Sequence, residues 1–532
     1  MKVLIFHGYL LSGTGSNVYN ASLASALARL GHEVHLLCQE RDPPRLGSGP
    51  GSVTLHRPDI GRLLPVFVRD RYEGFEVKTF GELSDEELDA YIAANVAAVR
   101  EVAAGAGGVD AALANHLVMG PVILRRAGLR YAVKVHGSDL SYTVLPELER
   151  FGPYAGEGAR AANGILVGSG HIAARLREAV PDPAVQAKVR LGPPGVDTEL
   201  FAPMDVALRE QRLRDLAAGL RQVGDGVGGD AGDAGDPRGL GGKRQHGWRN
   251  PPSPRDRGAW DRDVAAAAEA VEWFAGALGP RVVFIGKLIV SKGVDLLLAA
   301  WPLIHARHPT ARLLIVGFGA LEPALRRVAA GLATADLAPL RDLSEAGRGL
   351  DGGKEGRLPI LADFLEGLPT NYLDAARESA GSVAFAGRLT HDEVGALVPA
   401  CDALVFPSTF PEAFGMVAAE AASAGVLPVS AAHSGAAEVS RALAAELPPA
   451  TAELLSFELD GNAIAAIADR VGRWLEISDR ERERTRAALR EAVRRRWSWE
   501  QVARGVLAAS AGDLDSPSRA PVSDFWRYPP IR

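Results

Sequence analysis

Short apolar runs of four or five residues alternate along this chain with longer stretches that have helical hydrophobic spacing. The opening shows an apolar run over Lys2–Phe6, a glycine-containing loop, helical spacing over residues 17–30, and a second run over Glu33–Leu37. An apolar run of this length, bounded by turn residues, is typical of a strand buried in a parallel sheet. Gly31 fits the position that directly follows a helix. The chain therefore opens with a predicted strand, loop, helix and strand.

Similar runs recur through the chain, and most of them lead into a loop and a helix. They lie near residues 111–115, 131–135, 164–167, 189–191, 281–285, 313–316, 383–386 and 403–406. Strands that alternate with helices in this way predict an α/β fold with parallel sheets. Residues 84–103 are predicted as a helix, since the acidic sequence SDEELD suits a first turn.

Two segments interrupt this alternation. Residues 223–262 consist largely of Gly, Asp, Pro and Arg with almost no apolar side chain to bury, which predicts a disordered insertion or linker. Residues 331–380 are more than one connection needs, and their centre, GRGLDGGKEG, is loop-like. We interpret them as a second insertion flanked by helices.

The stretch FPSTFPEAFGMVAAEAASAGVLPVS, residues 406–430, combines a strand end, a proline-rich turn and a helix that ends at Gly425. Glu412 falls in the turn and Glu420 inside the helix, about 10 Å apart at 1.5 Å per helical residue plus the turn. That span exceeds the roughly 5 Å between the two carboxylates of a retaining glycosidase. It suits two contacts on one extended ligand, although two solvated glutamates would give the same pattern.

A helix that starts near Phe414 and Gly415 would present free N–H groups and a positive dipole end to an anion such as a diphosphate. The loop holding Gly13 and Gly15 could cradle a phosphate in the same way. A dinucleotide-binding fingerprint competes with that interpretation, because Glu40 stands where a ribose-binding acid would be. The third glycine is missing from the fingerprint, however, and the first comes too late after the strand.

Five further positions carry candidate chemistry. Lys287 and Lys292 lie five residues apart after a predicted strand and would suit a diphosphate clamp, and Gly317 opens the loop after the next strand. His136, in HGSD, also follows a predicted strand, where α/β sheets bind ligands. His116 is a weaker second histidine candidate, and a lone histidine is more often structural.

Composition narrows the class of protein. A length of 532 residues implies two or three domains, and 59 basic against 65 acidic residues, a net charge of -6, give no reason to expect a nucleic-acid partner. Cys38 and Cys401, each in an apolar run, are expected to be buried thiols in a reducing, cytoplasmic compartment. The Asp pairs at 261–263 and 513–515 lie in polar segments, so no metal site is expected. The basic run 494–496 could face a membrane or be a solvated helix face.

Several strings occur in the order seen in one family. They are HGSDL, GPPGVDTELF, GKLIVSKG, GRLTHDEV, PEAFGMVAAEAASAG and RRRWSWEQVA. The fifth resembles the motif of two glutamates separated by seven residues in the retaining nucleotide-sugar glycosyltransferases of family 4, and the others resemble further elements of that family. Lys287 stands where arginine is usual, so a charge is kept without the bidentate geometry.

The resemblance implies the GT-B fold, an α/β architecture of two Rossmann-like parallel-sheet domains that face each other across a cleft. The implied parts are an acceptor-side domain over 1–202, a linker over 203–262, a nucleotide-sugar-binding domain over 263–496 with an insertion at about 331–380, a helix over 497–511 that braces the first domain, and a tail over 512–532.

The implied activity is retaining transfer of a sugar from a UDP, GDP or ADP sugar to a small-molecule, glycan or lipid-linked acceptor, without a metal. Front-face attack would let the leaving diphosphate help to deprotonate the acceptor. The resemblance implies catalytic roles for His136, Glu412 and Lys292, and donor contacts from Gly13, Gly15, Lys287, Lys292, Gly317, Arg388, Leu389, Glu412, Phe414, Gly415, Met416, Val417 and Glu420. A nucleotide-sugar epimerase on the same fold, and an inactive binding protein, are the alternatives.

Overall fold

The computed structural model describes the chain in seven stretches. They are residues 1–11, 15–41, 46–47, 49–67, 74–226, 262–353 and 356–514. The chain divides into two compact units. The first comprises Met1–Pro203, Ser408–Leu459 and the chain from Ile477 onward, and the second comprises Met204–Pro407 and Asp460–Glu476.

Fifteen strands are found in the described residues. They are β1 (Lys2–Phe6), β2 (Glu33–Leu37), β3 (Ser52–His56), β4 (Leu63–Val66), β5 (Glu76–Thr79), β6 (Ala111–Asn115), β7 (Ala132–Val135), β8 (Gly164–Val167), β9 (Val189–Leu191), β10 (Arg281–Ile285), β11 (Arg312–Val316), β12 (Val383–Gly387), β13 (Ala403–Phe406), β14 (Leu427–Ala431) and β15 (Ser456–Phe457). A seven-stranded sheet has the order β3-β2-β1-β6-β7-β8-β9, a six-stranded sheet has the order β12-β11-β10-β13-β14-β15, and β4 pairs with β5.

Helices connect most of these strands. In chain order they are α1 (Gly15–Arg29), α2 (Asp85–Gly105), α3 (Gly120–Ala127), α4 (Leu148–Ala161), α5 (Gly170–Ala179), α6 (Pro183–Gln186), α7 (Arg209–Gly226), α8 (Val264–Ala275), α9 (Val294–Arg307), α10 (Glu322–Ala333), α11 (Ala338–Ala346), α12 (Pro359–Glu366), α13 (Tyr372–Glu378), α14 (His391–Leu397), α15 (Met416–Ser423), α16 (Ser434–Ala444), α17 (Pro449–Ala452), α18 (Ala463–Glu476), α19 (Asp479–Trp497) and α20 (Trp499–Ala511). The predicted helix after Ser84 begins as expected, with that serine as N-cap accepting from the N–H of Glu87.

The seven-stranded sheet of the first unit is buried on both faces. In β1, Leu4 and Phe6 belong to one cluster of buried hydrophobic side chains, whereas Val3 and Ile5 belong to another. This alternation is the period of two that a strand imposes on its side chains. Each such buried side chain contributes about 1.5–3 kcal/mol through the hydrophobic effect. The unbroken apolar run of β1 is thus explained by cover on both faces, and its pairings with β2 and β6 are parallel.

Helix α20 covers part of that sheet, since it packs against α1, β6 and β8. The Ser510 hydroxyl donates a hydrogen bond to the Ala112 carbonyl oxygen (2.9 Å), and the Asn163 amide donates to the Ser510 carbonyl oxygen (2.5 Å). At the other end of the helix, the Trp499 ring meets the Tyr19 ring edge-on, with centroids 5.5 Å apart. The last described helix is therefore part of the first unit's core.

The second unit is built around β10, which pairs in parallel with β11 and β13. Two buried tryptophans satisfy their indole N–H groups there, Trp301 on the Ser382 hydroxyl (2.7 Å) and Trp474 on the Asp402 carbonyl oxygen (2.8 Å). The Asp402 carboxylate accepts a hydrogen bond from the buried guanidinium of Arg209 (2.8 Å), at the start of α7. That pair fixes the position where α7 begins.

Helix α7 corrects the prediction of a linker over residues 203–262. Leu213, Ala217 and Leu220 recur at helical spacing, are buried, and pack this helix against α8. The sequence prediction failed because the charged residues between these three mask a narrow apolar stripe. Residues 227–261, most of the predicted insertion, lie outside the described residues.

The predicted insertion at 331–380 is largely helical, with α11, α12 and α13 in it. The Tyr372 hydroxyl donates to the Ala299 carbonyl oxygen (2.8 Å), and Leu361 and Phe364 are buried, so the segment packs onto the second unit. Strands β3, β4 and β5 were not predicted, because β3 is only half-buried and β4 contains Pro65. Their pairing comes from tertiary context rather than from a local pattern.

The compact units also differ from the continuous domain predicted over 263–496. Ser408–Leu459 and the chain from Ile477 onward group with residues 1–203. One reason is a set of contacts between segments that are far apart in the chain, such as the hydrogen bond from the Val196 N–H to the Trp497 carbonyl oxygen (2.7 Å). A local sequence pattern does not show such contacts.

Candidate functional site

Three histidines of the first unit follow the carboxyl ends of neighbouring strands. His7 comes after β1, His116 after β6 and His136 after β7. Because parallel strands end at the same edge of a sheet, the three rings meet there. The His116 centroid lies 4.7 Å from that of His136 and 6.1 Å from that of His7.

The hydrogen bonds of His7 define its tautomer. Nε2 faces two acceptors, the Leu10 carbonyl oxygen (3.0 Å) and Asn17 Oδ1 (2.9 Å), so it carries the proton. Nδ1 accepts from the Asn20 amide (3.0 Å). Burial lowers the pKa of His7 to about 4, against the opposing effect of its bond to Asn17, so the ring is neutral at pH 7.

His136, the histidine predicted from HGSD, is held by an asparagine. Its Nε2 donates to Asn115 Oδ1 (2.9 Å), and the Asn115 amide donates to the Phe6 carbonyl oxygen (3.1 Å). Burial, with His116 and Lys134 nearby, holds the pKa of His136 well below its usual range. A neutral His136 is therefore oriented by the ends of β1 and β6 together.

Asp139 of the same loop fixes the backbone rather than pointing to solvent. Its carboxylate accepts from the N–H of Gly137 (2.8 Å) and from the N–H of Leu117 (2.5 Å), and burial raises its pKa. These bonds join the loop that follows β7 to the loop that follows β6. Lys134 beneath them is also buried, donates to the Gly192 carbonyl oxygen (2.6 Å), and has a pKa lowered by burial to about 7.

Glu412 lies in the loop before α15, as predicted, and its surroundings hold it in place. Its Oε1 accepts from the Ser408 hydroxyl (2.6 Å), and its own N–H donates to the Ser434 hydroxyl (2.8 Å). The Gly435 N–H donates to the Glu412 carbonyl oxygen (3.0 Å), and His433 Nε2 donates to the Ser408 carbonyl oxygen (2.7 Å). The start of α16 thus determines the conformation of the Glu412 loop.

Helix α15 begins where the sequence predicts. Gly415 is its N-cap with φ 103°, a left-handed conformation that favours glycine, and Phe414 before it packs edge-on against Trp497 at 5.4 Å. Glu420, the fifth residue of the helix, is only 6% exposed. The two other predicted donor contacts in this helix, Met416 and Val417, are half-buried in its first turn.

The Glu412 loop lies against the His136 loop within the first unit. A Cβ on Gly137 would be 3.5 Å from the Ala413 Cβ, and one on Gly168 would be 3.0 Å from the Ala413 carbonyl oxygen. The Glu438 carboxylate accepts from the N–H groups of Gly170 (2.9 Å) and His171 at the start of α5, and burial raises its pKa. The structure therefore brings two of the predicted catalytic residues, His136 and Glu412, to neighbouring loops.

The second unit carries the predicted lysines. Lys287 is exposed after β10, and Lys292 lies in a short 3₁₀ turn before α9 with its Nζ 5.7 Å from the centre of the Phe406 ring. A Cβ on Gly317 would be 1.8 Å from the Gly286 carbonyl oxygen, so only glycine fits where the loops after β10 and β11 touch.

Arg388 and Leu389 follow β12. The Arg388 guanidinium lies 5.9 Å from the centre of the Phe318 ring, and Leu389 is buried. Gly15 is the first residue of α1, and a Cβ at this position would have no atom of the described residues within 4 Å, so their packing does not demand glycine there. Gly13 lies outside the described residues.

The described residues contain no group of three or more His, Cys, Asp or Glu side chains placed to hold a metal ion. Among the described helices, none has the length and apolar character needed to cross a membrane. The basic run at the end of α19 is paired with acids, since Arg494 contacts Glu491 (2.9 Å), and Arg495 and Arg496 contact Glu446 (2.8 and 2.7 Å). Much of its charge is therefore balanced on the protein itself.

Sequence reasoning missed several residues of this region. In the sequence pattern His7 only interrupts an apolar run, and nothing there distinguishes Asn20, Asn115 or Ser434. His7, Asn115 and Ser434 share a signal of position, since polar residues at or just after the end of a buried strand collect at the ligand-binding edge of a parallel sheet, whereas Asn20 lies inside α1 and carries no such signal.

Three family profiles match the chain. One described as Glycosyltransferase Family 4 matches residues 13–200, and two described as Glycosyl transferases group 1 match residues 279–345 and 369–495. No curated protein matches the chain.

Solved structures resemble the chain over nearly its whole length. Sucrose-phosphate synthase from Thermosynechococcus elongatus is 18% identical with a TM-score of 0.52, covering 95% of this chain and 96% of that one. A glycosyltransferase from Rickettsia africae is 13% identical with a TM-score of 0.53, covering 97% and 99%. The N-terminal domain of trehalose-6-phosphate phosphatase from Candida albicans is 13% identical with a TM-score of 0.52, covering 96% and 97%. At these identities the likeness shows a shared fold.

Proposed function

This chain belongs to the group 1 and family 4 glycosyltransferases, retaining enzymes of the GT-B fold that use nucleotide-sugar donors, and we propose that it transfers a hexose from a UDP, GDP or ADP sugar to a hydroxyl acceptor. The observation that carries the proposal is the pair Glu412 and Glu420. They flank the start of α15, where Gly415 opens the helix.

Each glutamate has its own role in this proposal. Glu412, oriented by Ser408 and Ser434, contacts the transferred sugar. Glu420, buried inside α15, accepts hydrogen bonds from the ribose hydroxyls. The free N–H groups at the helix start, near Phe414, Gly415, Met416 and Val417, favour the negative charge of a diphosphate.

Lys287 and Lys292 supply the cationic contacts to the donor in the same proposal. Lys287 and Lys292 contact the diphosphate, the Gly317 loop lets backbone approach it, and Arg388 and Leu389 contact the base. Stabilisation of the leaving diphosphate is the main catalytic contribution, since that is where negative charge develops. The leaving group then takes the proton of the attacking hydroxyl on the same face, which explains retention without a protein nucleophile. No metal is required.

His136 completes the proposed catalytic set. As a neutral ring with Nε2 committed to Asn115, it contacts the donor sugar as a hydrogen-bonding group rather than as a cation. Gly13 and Gly15 are further contacts to the donor phosphates in this proposal. The free, buried thiols of Cys38 and Cys401 suit a cytoplasmic protein.

The acceptor class stays open among small molecules, glycans and lipid-linked sugars, and nucleic acid is not expected. A peripheral membrane contact through residues 494–496 would have to compete with Glu446 and Glu491. An epimerase would convert the donor sugar without any acceptor, and an inactive binding protein would bind the donor without turnover.

The test is a donor screen. Thermal stability is measured with UDP-glucose, GDP-mannose and ADP-glucose, and release of nucleoside diphosphate is then measured with the donor that stabilises the protein most. We expect one base to be preferred and Glu420→Gln to lose that stabilisation. A wild-type protein that neither binds nor cleaves any nucleotide sugar would overturn the proposal, and conversion to a different sugar without release would identify the epimerase.

A further inference from the structure

Both ring nitrogens of His116 are buried without a hydrogen-bond partner in the described part of the chain. The residue is 2% exposed, and its backbone has φ 64°, a left-handed conformation that few non-glycine residues adopt. A buried polar group without a partner is costly, and a strained backbone adds to that cost. Such a combination at the ligand-binding edge of a sheet calls for a partner from outside the protein.

Three ring side chains, Phe67, Tyr9 and His136, lie close to the His116 ring. Its ring centroid lies 4.4 Å from that of Phe67, 5.5 Å from that of Tyr9 and 4.7 Å from that of His136. Aromatic rings cover the apolar C–H face of a saturated, hydroxylated ring, while imidazole nitrogens form hydrogen bonds with the hydroxyl groups at its edge. The imidazole nitrogens of His116 and the aromatic rings of Phe67 and Tyr9 together provide both kinds of contact.

The charge state of this histidine narrows the chemistry further. Burial and the neighbouring His7 hold the pKa of His116 well below its usual range, so the ring is neutral and offers one donor and one acceptor. A hydroxyl group also donates and accepts, whereas the diphosphate of a nucleotide sugar carries no proton near neutral pH and only accepts. His7, by contrast, already uses both of its ring nitrogens on Leu10, Asn17 and Asn20.

We propose that His116 hydrogen-bonds a hydroxyl of a sugar or cyclitol ring that lies against Phe67, and that it selects which ring is bound there. This inference rests on the proposed glycosyl transfer and names a residue for ring recognition within it. The ring could be the sugar of the donor or that of the acceptor, since both present the same hydroxyl chemistry.

The direct test observes the ring nitrogens of His116 by NMR in ¹⁵N-histidine-labelled protein. The chain has 12 histidines, and the His116 signals are assigned as those missing from the spectrum of His116→Phe or of His116→Gln. The probes are glucose, mannose and myo-inositol as free rings, then UDP-glucose, GDP-mannose and ADP-glucose, with UDP, GDP and ADP as ligands that lack the ring.

We expect the His116 nitrogens to shift with at least one ring-bearing probe and not with the bare nucleotides. A shift with a free ring identifies the acceptor, and a shift with only the nucleotide sugar identifies the donor sugar. No shift with any ring, or the same shift with a bare nucleotide, overturns the proposal, because His116 would then be satisfied by water or be structural.

Affinity for the responding probe gives a second measurement. His116→Phe keeps a ring but removes both nitrogens and should raise Kd at least tenfold, while His116→Gln should recover part of the loss. His32→Phe is the matched control, because His32 precedes β2 at the opposite edge of the same sheet and its Nδ1 is likewise unpartnered among the described residues. Equal Kd values for His116→Phe and wild type would contradict the proposal.

If no nucleotide sugar is cleaved by the wild-type protein, the proposed function fails, yet the free-ring measurement still decides the role of His116.

Discussion

At the residue scale, the two glutamates of the motif differ in their surroundings. Glu412 is half-buried and held by Ser408, whereas Glu420 is buried within α15. We expect Glu420→Gln to weaken binding of donor and of bare nucleoside diphosphate alike, by about 1–3 kcal/mol, since a charge-assisted hydrogen bond is lost. Glu412→Gln should leave nucleoside diphosphate binding nearly unchanged and lower turnover, because its partner is absent from that product. Calorimetric titration beside steady-state rates separates them, and equal losses of nucleotide affinity would refute the assignment.

The two lysines of the second unit should also differ. Lys292→Ala should cost about 2–4 kcal/mol of transition-state stabilisation if this charge meets the leaving diphosphate. Lys287→Arg is the matched control and should be tolerated, because the side chain is exposed and the charge is retained. The measurement is kcat/KM for donor cleavage. A normal value for Lys292→Ala would remove this lysine from the site.

A third residue-scale prediction concerns pH. Burial raises the pKa of the Asp295 carboxyl from 3.8 to about 7, and its Oδ1 has no hydrogen-bond partner among the described residues. Between these two values the folded carboxyl keeps a proton that the unfolded chain has lost, so the free energy of unfolding falls as pH rises. Asp295→Asn removes this dependence, and its stability relative to wild type should increase by up to about 4 kcal/mol from pH 4 to pH 7.

Denaturant unfolding at several pH values between 4 and 8 measures that difference. The exposed Asp342, in α11 of the same unit, gives the matched control Asp342→Asn. A stability difference for Asp295→Asn that does not change with pH would show that the folded protein binds no proton at Asp295.

Whether a site residue can be predicted from the sequence depends on how close its identifying features lie to it along the chain. Glu412, Glu420 and His136 could be found because a strand end and a motif lie next to them in the chain. The partners that orient them could not be found, since Asn115 and Ser434 are 21 and 22 residues away and become neighbours only in the folded chain. His116 is only a weak candidate in the sequence, because neither its φ nor its unpaired nitrogens are visible there.

At the scale of elements, the apolar runs predicted the long parallel strands well, because these strands are buried. Every side chain of β6 and β13 is buried, and in β1 and β10 all but one are buried. The pattern failed where burial is partial. No side chain of strand β3 is fully buried, and α7 buries a narrow apolar stripe amid charged residues. In both cases the neighbouring element supplies the burial, and a local sequence pattern does not contain that information.

The end of helix α7 at Gly226 also defines which part of the predicted insertion we expect to be dispensable. Residues 227–261 hold few apolar side chains, so replacing them by a short Gly-Ser linker should leave Tm within a few degrees of the wild type and donor cleavage intact. Leu213→Ala, in the buried stripe, should instead lower the free energy of unfolding by about 2–5 kcal/mol.

The exposed Arg212, one residue away on the same helix, is the control for Leu213, and Arg212→Ala should change stability by less than about 0.5 kcal/mol. A linker variant that unfolds or loses donor cleavage would show that residues 227–261 take part in the fold or the site.

At the scale of the whole molecule, the order of motifs predicted the family and the fold, because five of the six motif strings follow a strand whose position the hydrophobic pattern already gave, while RRRWSWEQVA joins α19 and α20. The division into compact units could not be predicted. It depends on contacts between distant parts of the chain. One is the hydrogen bond from the N–H of His171, at the start of α5, to the carboxylate of Glu438, which lies 267 residues further along the chain.

The central claim is retaining transfer from a nucleotide sugar, and the anomeric configuration of the first product tests it most directly. Without an added acceptor, water takes that role, and ¹H NMR spectra recorded before mutarotation identify the anomer released from an α-linked donor. We expect the α anomer to appear first, at the rate of nucleoside diphosphate release, and both signals to fall together in Lys292→Ala. Initial release of the β anomer, or no release from any of the UDP, GDP and ADP sugars, would contradict it.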